Sequence, residues 1–169
     1  MRSERYTGLV DDLETDLIIT TLFETDRPPH GTTGLIDWRL NGFLSRMILS
    51  GTLTGKEEEF TLIPLRHRLP ARRLLLVGLG KPENFLLARA RHLAYRLGKI
   101  LSGLKVIDVA MAFPAAYDER IPGDTERSVY DAFGQASLPH DLFLHWIPPA
   151  EKPARRPSAK TSAQNVQYA

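Results

Sequence analysis

The chain has no cysteine among its 169 residues, so disulfides and thiolate metal sites are excluded. No apolar run approaches the roughly 20 residues a membrane-crossing helix needs. The leading MRSERYTGLVDDLETD has no continuous apolar stretch of the kind a secretory leader carries. The histidines at 30, 67, 92, 140 and 145 show no metal-ligand spacing, and no HExxH string occurs. His140 and His145 have opposite parity along a strand and would face opposite sides. No repeat of fixed period and no heptad is present. The expectation is a cytoplasmic protein that needs no membrane, no metal and no cofactor.

What is present is an ordinary globular composition, with 43% hydrophobic and 25% charged residues. The length suits one domain with a single core. The net charge of +2 is unevenly spread. The last twenty residues, AEKPARRPSAKTSAQNVQYA, carry Lys152, Arg155, Arg156 and Lys160 against Glu151, a net of +3. Residues 1 to 149 then hold 18 basic (22 minus 4) and 19 acidic (20 minus 1) side chains, a net of −1. The body is not basic, which weakens nucleic acid as a partner. From residue 148 to 169 large apolar side chains nearly vanish, so this segment is expected to be a flexible basic tail. The folded domain is expected over residues 5–147.

Within that domain, short apolar runs alternate with helical patterns. DLIITTLF (16–23) predicts a strand, and DRPPHGTTG (26–34) is turn chemistry. Leu35, Ile36, Leu40, Phe43, Leu44, Met47 and Ile48 recur at helical spacing, predicting one helix that stops near Gly51, with Gly42 inside it. GKEEEF (55–60) reads as a charged turn whose glutamates are solvated, as do Asp11 and Asp12 in their own loop. FTLIPL (60–65) predicts a strand whose Pro64 marks an edge or an end. Residues 72–77 predict a buried central strand, 82–103 the longest helix, and KVIDVAMAF (105–113) another strand. A helix over 124–136, with Asp124 or Thr125 as N-cap, leads to a last strand, DLFLHWI (141–147). That strand is read as a possible open edge, with Phe143, Trp146 and Ile147 as apolar contacts for a partner. The alternation predicts an α/β layered fold with a mixed, mainly parallel sheet.

Three groups of residues are candidates for function. The first is RRLLLVGLGKPENF (72–85): Gly78, Gly80 and Lys81 follow the central strand at its carboxyl end, where open α/β sheets bind ligands. A helix starting at Pro82 would aim its N–H groups and positive dipole end there. The string is neither a Walker A motif nor a full GxGxxG, so a simple tight turn is the better reading of it. The second is Gly31, Thr32, Thr33 and Gly34, the end of the turn that precedes the helix predicted from Leu35, read foremost as a loop that simply enters that helix. The third is a basic stripe on the long helix, formed by Arg89, His92, Arg96 and Lys99 at i, i+3, i+7 and i+10. Such a stripe suits phosphates or an acidic partner, or is a solvated face. Ser45, Ser50 and Ser102 show no nucleophile arrangement.

Taken together, TTGLIDWRLNGFLSRMILSGTLTGKEEEFTLIPL and ARRLLLVGLGKPENF resemble the N-terminal domain of the leucyl aminopeptidases of peptidase family M17. The matching features are Asp37, Leu40, Asn41, Gly42, Leu44 and Ser45 on the helix, then Gly51, Gly55-Lys56 and the acidic turn, then LLLVGLGK. The resemblance covers residues 16 to about 147. It implies a macro-domain-like three-layer α/β/α sandwich. It also implies that the two metal ions, the catalytic lysine and the arginine belong to a separate C-terminal domain, marked by a string resembling NTDAEGR that does not occur here. No catalytic or metal residue is therefore carried over, and no peptidase activity is expected from this chain. The expected role is a non-catalytic interaction, assembly or regulatory module, associating with itself or with an aminopeptidase-type partner. Macro domains imply an alternative: binding of ADP-ribose or another phosphorylated nucleotide through the glycine loops. The paired asparagines and the run of three glycines that mark typical ADP-ribose binders are missing.

Overall fold

The computed structural model describes residues 2–112, 125–136 and 138–148. The expected tail (148–169), apart from residue 148, lies outside the described residues, as do Asp124 and the end of the strand predicted to reach 113. Six strands form one sheet: β1 (Arg2–Arg5), β2 (Leu17–Leu22), β3 (Phe60–Pro64), β4 (Arg73–Gly78), β5 (Asp108–Met111) and β6 (Phe143–Trp146). Their order is β1-β6-β5-β2-β4-β3, parallel throughout except for β3, which runs antiparallel to β4. The helices are α1 (Gly31–Arg39), α2 (Phe43–Leu49), α3 (Leu87–Leu104) and α4 (Thr125–Gln135).

Alternation along β2 sorts the core into two halves. Leu17 and Ile19 join Leu75, Val77, Leu93, Leu97, Leu101 and Phe133 on the α3–α4 side. Ile18 and Leu22 join Leu74, Leu76, Ile36, Leu44 and Ile48 on the α1–α2 side. Strands buried on both faces read as unbroken apolar runs, which is why β2 and β4 were legible. On the α3–α4 side the helices approach closely at Gly98, where an added Cβ would stand 2.2 Å from the Ala136 Cβ.

Four expectations need correction. Residues Arg2–Arg5 form a strand that the sequence did not suggest, because all four are exposed and polar; backbone pairing to β6 places them, with side-chain contacts from Ser3 to Tyr130 and from Glu4 to His145. With β1 beyond it, β6 is an inner strand rather than an open edge, and Trp146 and Ile147 are buried. The helix predicted over 35–48 is two helices. Asn41 (φ 55°) and Gly42 (φ 70°) take the left-handed conformation, which ends α1 and starts α2. Gly42 has no side chain to cap α2, so Asp37 on α1 does so from outside, its Oδ1 accepting from the Ser45 N–H (3.1 Å) and its Oδ2 from the Ser45 hydroxyl (2.5 Å). Finally, Pro82–Asn84 is only a 3-10 turn, and α3 starts at Leu87. The intervening Phe85 is buried edge-on against Phe23, with ring centroids 5.5 Å apart, and the chain bends to place it.

Candidate functional site

The two glycine stretches leave the carboxyl ends of neighbouring strands, β2 and β4. After β2, the Phe23 N–H donates to Asp26 Oδ2 (2.9 Å), and Arg27 reaches the carbonyls of Glu24 (3.2 Å) and Ile48 (3.3 Å). The Arg27–Pro28 peptide is cis. Helix α1 then begins at Gly31 (φ 58°), and the Thr33 hydroxyl donates to the Thr21 carbonyl (2.7 Å), tying the helix start to the end of β2. The Gly34 N–H donates to the His30 carbonyl, whereas the first helical turn at Gly31–Thr33 has no intrahelical acceptors. His30 makes no side-chain cap bond, and its Nδ1 lies 3.6 Å from Asp26 Oδ1. A Cβ at Gly34 would come within 2.7 Å of the Pro29 carbonyl oxygen, so this glycine is fixed by packing.

The second stretch is differently built. The N–H groups of Gly78, Leu79 and Gly80 donate to the carbonyls of Glu59 (2.7 Å), Leu22 (2.9 Å) and Gly55 (2.9 Å). None of the three is left for a phosphate. A Cβ on Gly78 would stand 1.9 Å from the Lys56 carbonyl oxygen, and Gly80 has φ 75°. This loop is a tight turn packed against residues 55–57. Because the helix N-terminus expected at Pro82 has moved to Leu87, its dipole does not support Lys81, which is exposed.

The basic stripe is not a free cationic face. Arg89 pairs with Glu57, while His92 (3.1 Å) and Arg96 (2.8 Å) both reach Glu58. Arg96 also lies over the Phe60 ring at 6.0 Å, and the Lys99 ammonium lies over Tyr95 at 4.7 Å. The acidic turn read as solvated is thus the stripe's counterion. Its third member, Glu59, points inward and accepts from the Thr54 N–H (3.0 Å), the Thr54 hydroxyl (2.9 Å) and the Gly55 N–H (2.6 Å).

Two polar clusters escaped the sequence reading. Asp11, read from the sequence as solvated in its loop, is instead buried and pairs with Arg39, which lies over the exposed Trp38 at 4.9 Å. His145 is buried on the sheet between Glu4 on β1 (2.8 Å from Nδ1) and Asp108 on β5 (3.1 Å from Nε2), and the Thr15 hydroxyl donates to that Asp108 (2.8 Å). No local signal marks either cluster, since their members are distant in sequence. Among the described residues, no group of three or more histidines or carboxylates is arranged to hold a metal ion.

Comparison with known proteins fits this geometry. The model of the cytosol aminopeptidase family, N-terminal domain, matches residues 21–129, more than half of the chain. The chain belongs to that family. A probable cytosol aminopeptidase of Thermosynechococcus vestitus is 32% identical over 110 residues, covering 62% of this chain and 22% of that protein. One from Sulfurihydrogenibium is 30% identical over 124 residues, covering 71% and 25%. The chain therefore spans about a quarter or less of these relatives, and only their N-terminal domain is matched. Among solved structures, a mutant tomato leucine aminopeptidase superposes with TM-score 0.62 at 16% identity, over 90% of this chain and 33% of that one. The macrodomain of Mycobacterium tuberculosis DarG gives 0.63 at 17%, over 88% and 98%. A Trypanosoma brucei macrodomain in complex with ADP gives 0.65 at 18%, over 89% and 64%. This cytosol aminopeptidase N-terminal domain thus has a macrodomain-like α/β fold.

Proposed function

We propose that this aminopeptidase N-terminal domain is a non-catalytic module that acts through protein–protein contacts, in assembly or regulation. The observation that carries the reading is the open edge of the sheet at β3. Both sheet faces are covered by the chain's own helices, the Gly78–Gly80 N–H groups are spent within the fold, and the basic stripe is largely neutralised by Glu57 and Glu58. Among the described residues, β3 alone of the strands combines a terminal position in the sheet with an exposed apolar side chain, Leu62. The partners in this reading are a second copy of the domain or an intact cytosol aminopeptidase. A cytoplasmic setting belongs to the same proposal: the matched relatives are named cytosol aminopeptidases, and among the described residues no helix is long and apolar enough to cross a membrane. The test is sedimentation velocity of the pure chain, alone and mixed with an intact cytosol aminopeptidase. A faster species in either sample is expected, and a monomer in both would overturn the proposal. Hydrolysis of a leucyl substrate by the chain alone would overturn its non-catalytic part.

A second reading, binding of ADP-ribose or a related nucleotide, draws on one observation. The donors of the first turn of α1, at Gly31–Thr33, sit at the carboxyl end of β2 in a macrodomain-like fold. The T. brucei macrodomain has been solved in complex with ADP-ribose. Isothermal titration with ADP-ribose decides it, with Thr32→Glu as control. A glutamate in a first helical turn is compatible with folding but repels phosphate. Heat that is absent, or identical in the variant, removes this reading.

A further inference from the structure

We infer that β3 pairs with β3 of a second copy, antiparallel and in a register centred on Leu62, joining two sheets into one. The inference rests on the interaction-module reading and names its partner.

The ladder between β3 and β4 decides which backbone groups are free. The Gly78 N–H donates to the Glu59 carbonyl and the Leu65 N–H to the Arg72 carbonyl. The register pairs Thr61 with Leu76 and Ile63 with Leu74. In an antiparallel ladder, alternate residues of a strand face the partner. Thr61 and Ile63 therefore bond inward, while Phe60, Leu62 and Pro64 direct their backbone groups away from the sheet. Pro64 sits where its missing N–H costs the sheet nothing. The outward set is self-complementary about Leu62. Each Leu62 N–H meets the second copy's Leu62 carbonyl, and each Phe60 N–H meets the second copy's Pro64 carbonyl.

Side chains and charges agree with that register. Leu62 shares the parity of Phe60, which packs on the α3–α4 side, yet Leu62 is 42% exposed. Centred pairing places the two Leu62 side chains directly opposite one another. The flanks carry opposite signs. Glu57 and Glu58 precede β3, with side chains 44% and 37% exposed even in their ion pairs with α3. Arg66, His67 and Arg68 follow it, exposed and with no carboxylate partner among the described residues. Glu58 and Arg66 lie equally far on either side of Leu62, as do Glu57 and His67. Antiparallel pairing thus brings the acidic flank of one copy to the basic flank of the other, whereas parallel pairing would oppose like charges. The other edge is built against such contact: β1 reads RSER and is exposed throughout.

So short a strand pair buries little area, so the association is weak, with a dissociation constant on the order of 50 µM. The test is sedimentation velocity of the full chain from about 5 to 500 µM, concentrations that bracket such an affinity. The expected result is a concentration-dependent dimer of twice the 19.0 kDa chain mass, weakened by added salt. Leu62→Pro removes an N–H that the intrachain ladder does not use, and it should raise the dissociation constant by about tenfold or more. Leu62→Lys should do the same by placing like charges opposite each other, and it covers the case in which the proline variant does not fold. Circular dichroism should show both variants folded. A wild-type monomer at every concentration overturns the inference, as does a dimer that persists unchanged in folded Leu62→Lys. If the monomer still co-sediments with an intact cytosol aminopeptidase, self-pairing fails while the interaction-module reading survives.

Discussion

Three consecutive glutamates, Glu57, Glu58 and Glu59, give a sharp test of how the β3 edge is held in place. Glu57 and Glu58 make side-chain pairs across a wet surface to α3. Exposed pairs of this kind contribute at most about 1 kcal/mol. Glu59 instead receives two backbone N–H groups and a hydroxyl from Thr54 and Gly55. The Gly55 carbonyl in turn accepts the Gly80 N–H, so Glu59 supports the turn that closes β4. Hydrogen bonds to a charged group are worth about 1.5–3 kcal/mol each. Partial exposure of this loop lets water replace some of them, which brings the expected cost of Glu59→Ala to about 3 kcal/mol. With a urea m-value of about 2 kcal/mol/M, the midpoint should fall by about 1.5 M. Glu59→Gln keeps an acceptor oxygen and should lose about one third of that, whereas Glu57→Gln and Glu58→Gln should each stay within about 0.5 M. Equilibrium urea unfolding followed by far-UV circular dichroism measures all four. If Glu59→Ala shifts the midpoint no more than Glu57→Gln, the inward role of Glu59 is wrong.

Other outcomes follow from the same contacts. Asp37→Ala removes the cap of α2 and should cost about 1–2 kcal/mol by urea unfolding, with Asp37→Asn recovering most of it; equal losses in both variants would refute a capping role. Gly98→Val drives a side chain into Ala136 and should lower stability by about 1–3 kcal/mol, or the thermal midpoint by about 3–10 °C, and an unchanged melting curve would contradict the close approach of α3 and α4. His145→Ala leaves Glu4 and Asp108 without their shared partner; because both carboxylates are partly exposed, the expected loss is about 1–2 kcal/mol, with increased amide exchange in β1 as the diagnostic reading.

The interior of the fold was legible because its signals are local. β2 and β4 are apolar on both faces, α3 repeats its buried positions through Ala90, Leu93, Ala94, Leu97 and Leu101, and Pro64 marks an edge that the sheet order bears out. The misses share a different cause. β1 carries no apolar residue, and its placement depends on backbone pairing with residues about 140 positions away. The break between α1 and α2 was hidden because apolar periodicity continues across it. The signal was Asn41-Gly42 followed by Ser45, with a capping carboxylate supplied by Asp37 rather than by the residue next to the helix. Phe85 was counted into a helix by its neighbours, although its burial against Phe23 required the chain to leave helical geometry first.

The site was harder to read than the fold, and Gly78-Leu79-Gly80 shows why. A glycine turn after a buried strand has the same sequence whether its N–H groups face a ligand or a carbonyl of the same chain. Here the acceptors are Glu59, Leu22 and Gly55, none of them near in sequence, and the glycines are required because the Lys56 carbonyl occupies the place of a Cβ at Gly78. The basic stripe is ambiguous for the same reason: its counterions lie on a turn that the strand pairing brings alongside α3. A pattern of donors or charges states what a segment offers, and the tertiary fold decides whether the offer is already taken. By that criterion the donors of Phe60 and Leu62 on β3, and those of the first turn of α1, which meet no backbone acceptor among the described residues, are where binding experiments should be aimed, while Gly78–Gly80 should answer only in stability.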